Sequence, residues 1–356
     1  MNFAFTDEQA MIAETARGFF TQHATSARTR AAMAGDGIDR ALWQGFTHEL
    51  GLGGVALPEA LGGAGLGMVE LAILAEAAGA TVAALPLLGS LAMAAQAIAA
   101  GGSADQQARW LPGLIAGTSI AAPGSSETAK VSGDHISGYF DFIPHGASAD
   151  LFVLCAQGRV WLVSAAADGV TVTPQMSMDQ TRPYARITLL NTPGDALANP
   201  AGMQRARHAG WLVAAAEALG GAQACLDQTI AYANQRIQFG RPIGSFQAYK
   251  HRLADMMIEI EQARSAVWWA ACALDEGSDE GSDETAMALH SAKSFATDTF
   301  AMCAGNMIQL HGGIGFTWDH DAHLFFKRSR ALQSMLGSNS WHREQVAQLM
   351  GLGEAA

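Results

Sequence analysis

The chain is expected to be mostly α-helical, with a small β domain set between two helical ones, and three observations predict this. From Thr6 to about Ile115, Ala-rich segments place apolar residues three and four apart and are broken by Gly-rich turns. The most marked of these turns is ALPEALGGAGLG, Ala56–Gly67. From about Ser119 to Pro200 the texture changes to short β-rich runs, LFVLCA, RVWLVSA, GVTVTP and ARITLLN, separated by Gly, Asp and Pro. From about Met203 helices return and are long: His208–Gln235, Phe246–Leu274 and Asp283–Leu310. At 1.5 Å per residue each spans roughly 40 Å, the length of a bundle helix. The expected segments are therefore an N-terminal α domain over 1–117, a short β domain over 118–202 and a helix-bundle domain over 203–356.

The first helix opens on a capping box, Thr6 to Gln9, with acids where a signal peptide would carry basic residues. The most apolar stretch of the first domain, AALPLLGSLAMAAQAIAA, is punctuated by Pro86 and Gly89 and does not read as a membrane span. The acidic run DEGSDEGSDE, Asp275–Glu284, reads as a solvated connection between two bundle helices, with no case for a metal site.

Composition excludes some functions. Of 356 residues 49% are hydrophobic and only 15% charged, which predicts burial partly against other subunits. A net charge of −12 argues against nucleic acid, so an anionic ligand must be held locally by a few Arg and backbone N–H groups. Cys155, Cys225, Cys272 and Cys303 lack CxxC spacing and read as buried free thiols, as expected in a reducing cytoplasm.

Three motifs carry possible chemistry. In RIQFGRPIGSFQ, Arg236–Gln247, an Arg beside amides can grip a pyrophosphate and an aromatic can flank an adenine; the bland reading is a turn with Arg236 paired to an acid and Phe239 in the core. In QLHGGIGF, Gln309–Phe316, the pair Gly312–Gly313 is first a helix C-cap and second a surface open to a phosphate or ribose. His320 and His323 lack a third metal ligand, and Lys327, Arg328 and Arg330 read as a salt-bridged helix face.

Taken together and in order, FTDEQAMI, GLGGVALPEALGGAGLG, RIQFGRPIGSFQAYKHRLADM and QLHGGIGFTWDHDAH resemble the acyl-CoA dehydrogenase family over essentially the whole chain. The resemblance implies an N-terminal α domain, a middle β domain and a C-terminal four-helix bundle, assembled into tetramers with FAD at a dimer interface. It assigns the ADP half of a neighbour's FAD to Arg236, Gln238, Phe239, Phe246, Gln247, Gln309, Gly312 and Gly313. It also implies an acyl-CoA substrate and an electron-transfer acceptor.

The family's reaction needs a carboxylate to take the α-proton while hydride leaves to flavin. Transferred onto this sequence, the two places where members carry that Glu are Gly337 and Gly210, the second beside Trp211 where an Arg is expected. Glu217 and Glu344 each lie seven residues beyond an empty position, about 10 Å along a helix and too far to substitute. The flavin-contacting loop departs from the family pattern as well: IAAPGSSETA keeps Pro123, Gly124 and Ser125 but has Ala121–Ala122 for Thr-Glu. FIPH, Phe142–His145, replaces a Trp-Ile-Thr/Ser, and Pro144 removes a hydroxyl and an N–H donor. The expectation is a division of labour, in which this chain resembles the non-catalytic subunit of the heterotetrameric members that shorten steroid side chains in bacteria and lends the ADP half-site to a homologous catalytic subunit. The alternatives are a self-sufficient homo-oligomeric dehydrogenase with an unrecognised base, and a scaffold that lost the chemistry.

Overall fold

A computed structural model describes residues 4–276 and 282–352. The N-terminal region contains α1 (Asp7–His23), α2 (Ser26–Met33), α3 (Arg40–Gln44), α4 (Met68–Gly79), α5 (Gln96–Gly101) and α6 (Ala104–Ile115). The Thr6–Gln9 capping box forms with both its bonds. Of the acidic connection Asp275–Glu284, residues 277–281 lie outside the described residues.

Strands β1 (Ala121–Ser126), β2 (Lys130–Ser132), β3 (His135–Pro144), β4 (Leu151–Ala156), β5 (Arg159–Ser164), β6 (Val170–Gln175), β7 (Tyr184–Pro193) and β8 (Asp195–Ala196) follow. They form two four-stranded sheets, ordered β1-β4-β5-β8 and β2-β3-β7-β6, with β1 and β4 parallel and the other pairs antiparallel. Phe152, Leu154, Trp161 and Val163 of the first sheet share a core with Ile136, Phe140, Ala185 and Ile187 of the second. The first sheet's other face packs Leu151, Val153 and Leu162 against Ile98, Leu111 and Leu114, so β4 is almost continuously buried. The second sheet is covered on one side only, and β7 alternates buried and exposed for most of its length.

The bundle helices are α7 (Ala201–Gln235), α8 (Gln247–Glu276), α9 (Asp283–His311), α10 (Ala322–Ser334) and α11 (Asn339–Leu349). The minute hairpin of β9 (Ile237–Gln238) and β10 (Arg241–Pro242) separates α7 from α8. Helix α9 is central: it packs against α8, α10 and α11 and buries Leu289, Phe300, Cys303 and Met307. Helices α4 and α7 cross at backbone distance. A Cβ on Gly79 would lie 2.1 Å from the Glu217 carbonyl oxygen, and one on Gly220 would lie 1.9 Å from that of Glu76.

By proximity the chain forms two compact units, each discontinuous in sequence: 1–26 with 72–83 and 211–356, and 27–71 with 84–210. The first holds most of the bundle and the second holds both sheets. Among the described residues one helix, α7, is long and apolar enough to cross a membrane, and 89% of its most apolar window is buried in the fold.

Candidate functional site

The two signature segments meet where α7 ends, α8 begins and α9 ends. Tyr232, in the last turn of α7, stacks on His311 with ring centroids 4.5 Å apart, and the Tyr249 hydroxyl of α8 donates to the Leu310 carbonyl. His311 donates from Nδ1 to the Met307 carbonyl at 2.7 Å, and burial lowers its pKa.

The hairpin after α7 turns through Phe239 (φ +54°) and Gly240 (φ +76°), the pair of left-handed residues that a two-residue hairpin needs. Phe239 is 91% exposed in this strained conformation, so it is not a core residue. Arg236 is exposed, begins the turn and has no ion-pair partner among the described residues. The bland reading of this turn therefore fails on both counts. Arg241 pairs across the hairpin with Gln238, and its guanidinium lies 4.0 Å from the centre of the Phe246 ring. Phe239 meets the same ring edge-on at 6.1 Å. From Gln228 to Ala254 this acidic chain carries four cations, Arg236, Arg241, Lys250 and Arg252, and no acid.

Gln247, Gln309, Gly312 and Gly313 are also exposed. Gly312 adopts φ +64°, ψ −142° as the C-cap of α9, and no atom lies within 4 Å of where a Cβ would stand on either glycine. The C-cap reading holds for Gly312, and Gly313 leaves open surface beside it. Exposed, uncompensated guanidiniums beside exposed amides and a bare glycine surface fit an anionic nucleotide diphosphate.

The places expected to hold a base are built differently. Gly337 sits at φ +104° in the connection from α10 to α11, beside Leu336 at φ +58°. A Cβ on Gly337 would meet Trp341 Cε3 at 2.7 Å and His342 Nε2 at 3.0 Å. Trp211, next to the other empty position Gly210, donates from Nε1 to the Leu336 carbonyl at 2.9 Å. Its ring lies 4.5 Å from His290 and 6.1 Å from Trp341. Two indoles and two imidazoles thus fill the surroundings of position 337.

The two acids weighed as substitutes, Glu217 and Glu344, are engaged otherwise. Glu217 is buried and accepts a hydrogen bond from the buried Arg328, so its carboxylate is neutralised within the bundle. Arg328 is thus salt-bridged as expected, but inside the bundle rather than on an exposed helix face. Its neighbours do face outward: Lys327 lies 4.1 Å from the Trp318 ring, and Arg330 donates to Gln333. Glu344 is exposed and accepts from Gln348.

The segment with Pro123–Ser125 forms β1, with Ala121 and Ala122 buried. Phe142 is 66% exposed at φ +57° in a β-bulge, held by a bond from its N–H to Gln175 Oε1. Among the described residues no group of three His, Cys, Asp or Glu is placed to hold a metal. Cys225 and Cys303 are buried thiols as expected, whereas Cys155 and Cys272 are only half-buried.

Sequence reasoning missed the polar cluster beneath Gly337. Its members come from 211, 290–298 and 339–342 and share no local spacing. His290 and His342 approach Nδ1 to Nδ1 at 2.7 Å. Burial, reinforced by the Lys293 charge and by His290, pushes His342 down to about 3 from its ordinary 6.5. Below about pH 6.5 the unfolded chain binds this proton and the fold does not, so stability falls as pH drops. The loss expected by pH 5 is about 2 kcal/mol. Denaturant unfolding at pH 7 and pH 5 checks this, and His342→Phe should remove that share of the pH slope.

Fold and site together define a mostly helical architecture, two sheets beside a long-helix bundle, with an exposed surface of Arg, Gln and Gly at the bundle end. Residues 6–118 match the model of the acyl-CoA dehydrogenase N-terminal domain, and 203–351 match that of the C-terminal domain. The acyl-CoA dehydrogenase IpdE2 of Mycobacterium tuberculosis is 34% identical over 339 residues, covering 93% of this chain and 94% of that protein. Among solved structures, the Tcur3481–Tcur3483 steroid ACAD is 33% identical with a TM-score of 0.89, covering 98% of this chain and 99% of that one. The ChsE4–ChsE5 complex of Mycobacterium tuberculosis is 26% identical with a TM-score of 0.91 over all of both chains. The chain belongs to the acyl-CoA dehydrogenase family. Membership makes oxidation of acyl-CoA the reaction class and FAD the cofactor.

Proposed function

We propose that this chain is the non-catalytic half of a heteromeric FAD-dependent acyl-CoA dehydrogenase. It contributes the ADP half of the cofactor site to a homologous partner that performs the α,β-dehydrogenation. One contrast carries the reading: Arg236, Gln238, Phe239, Gln247 and Gln309 stand exposed around the open Gly312–Gly313 surface, while the base position is filled by Trp211, Trp341 and His342. Arg236 would hold the diphosphate, Phe239 and Phe246 would flank the adenine side, and the glutamines would supply neutral donors. Bound FAD would supply the hydride acceptor. The similar proteins named as two-component complexes, one of them a steroid ACAD, support unlike subunits and a steroid-like acyl-CoA substrate. An electron-transfer acceptor and a cytoplasmic location belong to the same reading.

Arg236→Ala in the assembled complex tests the half-site. Loss of one charge-assisted contact of roughly 1.5–3 kcal/mol should weaken FAD retention roughly ten- to a hundred-fold. Unchanged flavin occupancy in dialysis against dilute buffer would remove the assignment.

A further inference from the structure

The connection Met335–Ser338 is held from below by a lysine that the half-site does not use. Lys293, on α9 and wholly buried, donates from Nζ to the carbonyls of Gly337 at 2.6 Å and Gln333 at 3.3 Å, and to Asn339 Oδ1 at 3.1 Å. Three acceptors match the three N–H groups of an ammonium and leave a neutral amine one donor short. Gln333 lies in the last turn of α10, where carbonyls lack helical partners and the helix dipole favours a cation.

Asn339 is fixed in turn. It accepts from Thr297 Oγ1 at 2.9 Å and donates from Nδ2 to Asp298 Oδ1 at 2.6 Å. Above the lysine, the Leu336 carbonyl accepts from both Trp211 Nε1 and His342 Nε2. Neutral His342 donates from Nε2, so its Nδ1 is an acceptor and His290 Nδ1 carries the proton they share. The backbone these groups hold has two successive left-handed residues, Leu336 and Gly337.

We propose that Lys293 is a positioning residue whose positive charge clamps Met335–Ser338 against Trp211, Trp341 and the His290–His342 pair. The cavity that an acyl thioester would need beside position 337 is then kept shut by a charge that can be removed. The proposal rests on the division of labour above and deepens it, because a shut cavity leaves the thioester to the partner. A connection needing only bulk beneath it would be held as well by an apolar residue, without the cost of burying an ammonium.

Among the described residues, Asp298 on α9 is the charge that acts on Lys293, and Lys293 acts in turn on His342 of α11; His290 of α9 bonds His342, Arg343 of α11 bonds Asp298, and Arg330 of α10 bonds the Gln333 side chain. Burial lowers Lys293 to about 8, with Asp298 opposing. Burial would raise Asp298, but hydrogen bonds from Arg343, Asn339 and Gln333 outweigh it and keep it ionised. His342 stays neutral, and arginines stay charged throughout this range. Lys293 therefore changes charge between pH 7 and 9.5 amid fixed neighbours.

The test is fluorine NMR of the full chain labelled with 5-fluorotryptophan, with signals assigned by Trp211→Phe and Trp341→Phe. The Trp211 and Trp341 signals should move together along a titration centred near pH 8. Lys293→Met should hold them at one position, and Asp298→Asn, which removes the opposing charge, should shift the midpoint to lower pH. Signals independent of pH from 6.5 to 9.5 in the unmodified chain would overturn the proposal, whether or not either variant folds. So would an unmoved midpoint in a folded Asp298→Asn. No flavin or substrate is present, so failure here leaves the division of labour standing. Turnover by the chain alone would overturn that division without touching this titration.

Discussion

Gly337→Glu is expected to lower the unfolding free energy by roughly 2–6 kcal/mol and to give no enoyl-CoA formation by the chain alone. The position needs φ +104°, which costs a non-glycine residue about 1–3 kcal/mol. The first side-chain carbon would enter space held by Trp341 Cε3 at 2.7 Å and His342 Nε2 at 3.0 Å, and overpacking of this kind adds about 1–3 kcal/mol. A glutamate there has no room to approach a substrate. Denaturant unfolding together with chromatographic detection of enoyl-CoA measures both parts. A variant as stable as the parent, or one that turns over, would show that the connection opens and that the missing carboxylate is the chain's main defect.

The second large effect is at the buried ion pair. Arg328→Met should cost about 3–5 kcal/mol, because it strips a charge from the Glu217 carboxylate inside the bundle. The double replacement Arg328→Met with Glu217→Leu should recover most of that loss, since neither charge then remains to be desolvated. A double-mutant cycle in urea decides the matter: a double variant as unstable as the sum of its singles would mean that the two side chains act independently. The same pair commits the Glu217 carboxylate to a guanidinium, which fits the proposed absence of a base in this chain.

The long helices were legible because their signals are local. Apolar spacing at 3.6 residues and terminal Gly or Ser residues placed α7, α8 and α9, although α7 begins at Ala201, ahead of the expected His208. The four β-rich runs became β4, β5, β6 and β7 for the same reason. Strand β1 was not legible as a strand: AAPGSS carries the residues of a turn. It is extended because it pairs with β4 and is buried from Ala121 to Pro123, which are tertiary facts. Strand β3 hides its alternation behind Gly138 and a bulge after Phe140.

The residues of the proposed half-site could be named because they fall in two contiguous motifs. The group around Gly337 could not, because Trp211, His290, Lys293 and His342 come from three helices far apart in sequence. Two glycines at the base positions announced only a missing carboxylate; that indole and imidazole rings occupy the space is visible in three dimensions alone.

The most direct measurement of the central claim is the visible flavin absorbance of the chain purified alone, followed by an assay of enoyl-CoA formation, each repeated after co-expression with a homologous subunit that carries the glutamate. The account predicts a colourless, inactive chain that gains both flavin and turnover with its partner. A yellow protein that oxidises an acyl-CoA thioester unaided would contradict it.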